Sequence, residues 1–485
     1  MDVARHRVLW LAFTAVQASC GTKLVIPEEP TTPQVASPGV PVPFANAGPS
    51  DVPTTAPPPG ISRVIDAVDP SRIRQDVDRL AAFGTRHTLS ETASATRGIG
   101  AAREWIASRL RDAAVPRSGI LPLQVAFDSH RVSADGRRVT RDVDVVNVVA
   151  TLPGVAESAA SRHYYVVAHY DSRASDPNDA TGDAPGANDD GSGVAVLLEL
   201  ARILAPRRLD ATVVLLATSG EEQGLLGARG HAKALVDAAV DVRAVLSFDI
   251  VGDPRMPAGP PRPDGIRLFS EGLPANLEQT ATVRMLGGES DSPSRELARH
   301  VGTLALWHGA EVQPTLVFRP DRFLRGGDHT AFNELGIAAV RFTEFGENYD
   351  RQHQDPRSED EHDFGDVPQF VDAEYVAGVT RLAAIAILHL ANAPAAPKHA
   401  RIVALALAHD TALRWSPAPD QDVAGYEVVW RATTSGLWEH VQDVGAVTSV
   451  TLPWHKDEHF FGIRSYDADG YRSEVAFCDV ERSPG

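Results

Sequence analysis

The stretch Tyr164-Tyr-Val-Val-Ala-His169-Tyr-Asp171, with Gly186-Ala-Asn-Asp189-Asp190-Gly-Ser-Gly193 and the run Val194–Leu204 after it, decides how this chain folds. The first piece is apolar almost throughout, which suits a strand covered on both faces. A glycine-rich loop then opens a segment with helical periodicity. The same pattern recurs along the chain. Val145–Leu152, Thr212–Ala217, Ala244–Asp249 and Ile337–Phe342 read as strands, and Val371–Asn392 as a long helix. Upstream, Asp69-Pro70 marks a helix start, with Ile73, Val77 and Leu80 on one face. A second helix carries Ile99, Ala102, Ile106 and Leu110. Apolar strands separated by helices predict an α/β fold, a mostly parallel central sheet flanked by helices on both faces. In such sheets ligands collect outside the carboxyl ends of the strands.

The flanks differ in character. Arg5, His6 and Arg7, the apolar run Val8–Val16 and then Ala18, Ser19 and Cys20 read as a signal peptide over residues 1–20. Cys20 is a candidate for lipidation, although Gln17 departs from the usual pattern before such a cysteine. Eleven of the 35 prolines fall within residues 27–59, so residues 21–62 are expected to be a disordered, semi-rigid linker. The expected location is therefore outside the cytoplasm: secreted, periplasmic or lipid-anchored at the envelope. Beyond the N-terminus no run of eighteen apolar residues predicts a transmembrane span.

From about Pro394 short alternating strands replace the α/β pattern: Ile402–Ala406, Ala412–Trp415, Tyr426–Arg431, Ser449–Leu452 and Phe460–Tyr466. They predict an all-β sandwich over residues 395–485. Its pieces Leu413-Arg-Trp415, Gly425-Tyr426-Glu-Val-Val-Trp430 and Gly462-Ile-Arg-Ser-Tyr466 resemble a fibronectin type III module. A length of 485 residues accommodates this sandwich and a catalytic domain over residues 63–394. The net charge of −18 argues against a nucleic-acid binder, which needs a basic stripe. Two cysteines exclude a disulfide framework or a thiolate zinc site.

Acids and histidines fall where the strands end. His169 and Asp171 follow Val166-Val167-Ala168, Asp189-Asp190 opens a helix, Glu221-Glu222 follows Thr212–Ala217, and Asp249 ends Leu246-Ser-Phe248. His353 lies beyond the last sheet strand. Alone, each has an ordinary structural explanation, such as a helix cap or a solvated charge. Gathered at one sheet edge, they form a mixed nitrogen and oxygen donor set that suits two zinc ions. His169 and Asp249 would serve one ion, Glu222 and His353 the other, with Asp189 bridging. Glu221 is then left to act as general base toward the water between the ions.

These residues carry a resemblance. The segment 64–394 resembles the secreted di-zinc aminopeptidases of bacteria, a fold shared with related carboxypeptidases. The likeness runs through Phe83-Gly-Thr-Arg-His-Thr-Leu-Ser90, Gly98-Ile-Gly-Ala-Ala-Arg-Glu-Trp-Ile106, Asn147-Val-Val-Ala-Thr-Leu-Pro-Gly154 and Gly327-Asp-His-Thr-Ala-Phe332. It implies His169, Asp189, Glu222, Asp249 and His353 as metal ligands, Glu221 as base and Asp171 as the partner of His169. The implied activity is removal of N-terminal residues from peptide or protein substrates. Carboxypeptidase or glutaminyl cyclase activity, and a non-catalytic secreted binding protein, are the rivals. Relatives often place a tyrosine just before the last histidine; here that position is Gln352, with Tyr349 three residues earlier. Asp328-His329 is expected either to shape the pocket or to serve the fold.

Overall fold

The computed structural model describes residues 51–114, 121–274, 280–404 and 408–481. The expected signal peptide, Cys20 and the first thirty residues of the expected linker lie outside them. An eight-stranded sheet dominates: β1 (Gln124–Val132), β2 (Val143–Leu152), β3 (Arg162–His169), β4 (Thr212–Thr218), β5 (Asp241–Phe248), β6 (Gly265–Ser270), β7 (Gln313–Val317) and β8 (Ala339–Thr343). Their order is β1-β2-β4-β3-β5-β8-β6-β7. The four central strands β4, β3, β5 and β8 run parallel. Antiparallel pairings join β1 to β2, β2 to β4 and β6 to β8.

The described helices are α1 (Pro59–Ile65), α2 (Pro70–Ala81), α3 (Gly98–Ala113), α4 (Gly191–Leu204), α5 (Leu226–Asp237), α6 (Thr280–Leu286), α7 (Pro293–His308), α8 (His329–Asn333) and α9 (Ala373–Asn392). Strand alternation divides the sheet residues between two layers. Tyr164, Val166, Ala168, Val213, Leu215, Ala244, Leu246 and Phe248 pack with residues of α2, α3, α4, α7 and α9. Tyr165, Val167, Val214, Leu216 and Val245 pack with Ala228, Ala232 and Phe332 of α5 and α8. Both faces are thus dry, which is why the strands read as unbroken apolar runs. Phe248 and Phe342 stack at 4.4 Å between neighbouring strands, and truncating either to Ala costs about 3–5 kcal/mol. Helix α9 is long and apolar enough to cross a membrane, but 83% of that window is buried in the protein.

Two four-stranded sheets form the C-terminal part, around a core of Ile402, Leu413, Trp415, Tyr426, Val428, Trp430, Phe461 and Ile463. The strand expected at Ile402–Ala406 is seen as Lys398–Val403, and residues 405–407 are not among those described. One expectation is corrected: the disordered linker does not reach residue 62. Asp51 is buried, accepting from Thr303 Oγ1 at 2.8 Å and Arg464 Nη1 at 3.2 Å. Thr55 accepts from Trp307 Nε1, and α1 buries Ile61 and Val64. Proline-rich chain has little backbone entropy left to lose, so a few anchors suffice to order it.

Candidate metal centre

The parallel strands deliver their carboxyl ends to one edge, and the chemistry begins there. His169 is the last residue of β3, Asp249 directly follows β5, and Glu221-Glu222 lie three residues past β4. Asp189 precedes α4, and His353 sits in a loop after β8 with a left-handed φ of 55°. His169 Nε2 lies 3.1 Å from Asp189 Oδ1 and 3.8 Å from Asp249 Oδ1. His353 Nε2 lies 3.0 Å from Asp189 Oδ2 and 2.9 Å from Glu222 Oε1. Asp189 therefore stands between two donor sets, one oxygen turned to each. Within each set the donor atoms lie inside 4.8 Å of one another. All five predicted ligands converge.

One observation tests whether this set fits a cation. His169 Nε2 is buried and has no hydrogen-bond partner, although two carboxylates face it. A buried polar atom left unpaired is costly, and a cation among these oxygens would satisfy it. Two imidazoles with three carboxylates are also a donor chemistry zinc accepts. The electrostatics agree. Burial alone would lower the pKa of His353, but Glu222 and Asp189 push it up to about 10. Burial likewise opposes protonation of His169, yet Asp171, Asp189 and Asp249 raise it well above its ordinary value. The carboxylates that raise these two imidazoles are the same oxygens that would hold a cation.

The surrounding loops are held from several directions. Asp190, fully buried, accepts from the backbone N–H of His169, Gly193 and Ile250, tying β3, α4 and the end of β5 together. Asp366 accepts from the N–H groups of Asn188 and Asp189. Arg86 donates to the carbonyls of Leu80, Tyr170, Pro185 and Gly186, which fixes the loops before and after the site. Asp171 departs from its expected part. His169 Nδ1 meets the Asp171 backbone carbonyl at 3.1 Å, while the carboxylate stands 3.6 Å away. That carboxylate instead accepts from the N–H groups of Glu221 and Glu222, each at 3.2 Å, and from Thr88 Oγ1.

Glu221 is partly open to solvent and belongs to neither donor set. Burial raises its pKa well above 4.5, with Asp249, Glu222 and Asp328 adding to the rise and His169 opposing it. Asp328 and His329 divide: Asp328 accepts from Thr218 and is raised to about 7 mainly by burial, within electrostatic reach of the site. His329 turns to the Pro320 carbonyl at 2.9 Å. Gln352 Nε2 donates to Asp189 Oδ2 at 2.9 Å, so this residue braces the shared carboxylate, while Tyr349 is 62% exposed. Sequence reasoning missed Arg341, whose Nη2 lies 3.0 Å from Asp249 Oδ2, and Asp366. An arginine inside the apolar strand Ala339-Val-Arg-Phe-Thr343 was the signal available for the first.

Comparison with known proteins adds to this geometry. Residues 147–373 match Peptidase family M28. A probable zinc metalloprotease of Leptosphaeria maculans is 43% identical over 424 residues, spanning 87% of this chain and 97% of that one. This relative is fungal, whereas the motifs had suggested bacterial enzymes. Among solved structures, an aminopeptidase of Legionella pneumophila, LapA, aligns with a TM-score of 0.47 at 18% identity, over 68% of this chain and 74% of that one. A glutaminyl cyclase of Fimbriiglobus ruber aligns with a TM-score of 0.47 at 20% identity, over 70% and 99%.

Proposed function

The chain belongs to peptidase family M28 and is a zinc-dependent peptidase, and from that premise we propose that it is a di-zinc aminopeptidase exported from its cell. The observation carrying this reading is the division of Asp189, whose two oxygens face two separate histidine–carboxylate sets. His169 and Asp249 would hold one zinc, Glu222 and His353 the other, and Asp189 both. Zinc bound there supplies Lewis acidity, polarising the scissile carbonyl and acidifying a water. The remaining work falls to the chain. Asp171 fixes the Glu221-Glu222 turn through both backbone amides. The Glu221 carboxylate takes a proton from the attacking water and returns it to the leaving amine.

The cavity beside Asp189 is lined by Asp253, Glu344, Glu347 and Asp366 against Arg351. These acids are already matched: Asp253 meets Arg255 and Arg351, and Glu347 meets Arg267, Arg322 and Arg325. The reading extends to the rest of the chain: residues 1–20 as an export signal, Cys20 as the candidate for lipid attachment, residues 63–394 as the catalytic domain and 395–485 as a fibronectin type III-like module. Its partners are peptides and proteins, without nucleic acid. The test is a substrate panel on zinc-loaded protein. Aminoacyl anilides should be cleaved, N-terminally blocked peptides spared, and a chelator should abolish turnover. Release of residues only from free C-termini, or cyclisation of N-terminal glutamine without hydrolysis, would contradict it.

A further inference from the structure

Arg341 is fully buried in the middle of β8, between the apolar Val340 and Phe342. A charge in that position is costly to desolvate and needs partners. Its Nη1 donates to the Gly326 carbonyl at 2.7 Å and lies 3.2 Å from Asp321 Oδ2; its Nη2 lies 3.0 Å from Asp249 Oδ2. The backbone closes over the pair: a Cβ on Gly327 would stand 2.5 Å from Arg341 Nη1 and 3.2 Å from Asp249 Oδ2. Of the two Asp249 oxygens, Oδ1 faces His169 and Oδ2 faces the guanidinium.

Among the described residues, no arginine stands as close to a carboxylate of the second donor set. Arg173 Nε is 4.0 Å from Glu222 Oε2 and donates instead to the Ala174 carbonyl. Arg138 donates to the Glu222 backbone carbonyl, away from its carboxylate. Gln352, on Asp189 Oδ2, is neutral. A fully buried guanidinium thus stands 3.0 Å from a carboxylate of one set, whereas the nearest guanidinium to the other set's carboxylates, among the described contacts, is the less buried Arg173 at 4.0 Å.

We propose that Arg341 makes the two cation positions unequal, so that the His169–Asp189–Asp249 position is the weaker and empties first. The proposal rests on the two-zinc reading. The guanidinium stands 3.0 Å from Asp249 Oδ2 and partly neutralises that carboxylate, and its own charge repels a dication in the same pocket. Partners of metal ligands move affinity by about 10–100-fold, ordinarily by strengthening it; a buried cation beside the ligand acts in the opposite sense. Arg341 is therefore a positioning residue whose effect is read in metal binding.

The test titrates zinc into the metal-free full-length protein against a chromophoric chelator. In His353→Ala only the Arg341-side position is whole, and in His169→Ala only the other. The first variant should bind its remaining zinc about 10–100-fold more weakly than the second. Equal affinities, or the reverse order, would overturn the proposal. Adding Arg341→Met to His353→Ala should tighten the remaining ion. If the double variant is folded by circular dichroism and shows no tightening, the proposal also fails; if it does not fold, the comparison of the two histidine variants decides alone. Wild-type protein saturating at one zinc would sink the two-zinc reading itself, and this inference with it.

Discussion

Glu221 and Glu222 are adjacent in sequence and hang from the same Asp171 carboxylate, yet their side chains have different company. Glu222 faces His353, whereas Glu221 belongs to neither donor set and stands partly open. Replacing Glu221 by Gln should leave zinc content at the wild-type value and lower turnover by about 10²–10⁴-fold. Metal analysis alongside single-turnover kinetics checks both halves, and loss of zinc would move Glu221 into the ligand shell. The five converging donors were legible in the sequence because each lies beside an apolar strand or a glycine-rich helix start, where a solvated role is unnatural. The residues that hold them were not. Asp366 comes from a distant loop with no local pattern, and nothing in one dimension shows that it meets the amides of Asn188 and Asp189. Asp171 was found as the partner of His169, but its backbone carbonyl and not its carboxylate makes the closer contact.

At the scale of elements, the junction of β3, α4 and β5 rests on one buried side chain. Asp190 caps α4 and also accepts from the ends of both strands. Asp190→Ala leaves the N–H groups of His169, Gly193 and Ile250 unpaired, so the loss should reach about 2 kcal/mol or more, the upper end for a cap. A lower urea midpoint at unchanged slope would show it; an unaltered midpoint would mean the cap is dispensable. The central strands and main helices were readable from apolar runs, which mark burial on two faces. The runs carry no direction, so the antiparallel setting of β2 was not readable. Strand β1 alternates exposed and half-buried residues, among them Asp128 and Ser129, and hides as an edge strand. Strands β6 and β7 are short and lie in stretches rich in proline and loop residues.

The whole molecule is joined by buried charge. Arg162 binds Asp420 at 2.8 Å, Arg299 and Arg431 share Asp291, and Trp438 donates to Glu296, each link crossing from the α/β part to the sandwich. Glu474, near this seam, is pushed up to about 8 by burial, with Glu296 adding and Arg243 opposing. Its folded-state value lies above the ordinary 4.5, so the folded form holds this proton more tightly. Its contribution is therefore present below about pH 4.5 and is lost as pH rises toward 8. Glu474→Gln should flatten the fall in melting temperature across that window, compared with wild type under identical zinc loading; parallel curves would contradict this. The sandwich was legible from its alternating strands, whereas the docked segment 51–62 was not, because proline-rich composition says nothing about distant anchors such as Arg464. The most direct measurement is anomalous diffraction at the zinc edge from crystals of the zinc-loaded protein. Two peaks about 3.5–4 Å apart, one beside His169 and Asp249, the other beside Glu222 and His353, with Asp189 touching both, are expected. A single peak, or peaks away from Asp189, would contradict a centre built on that shared carboxylate.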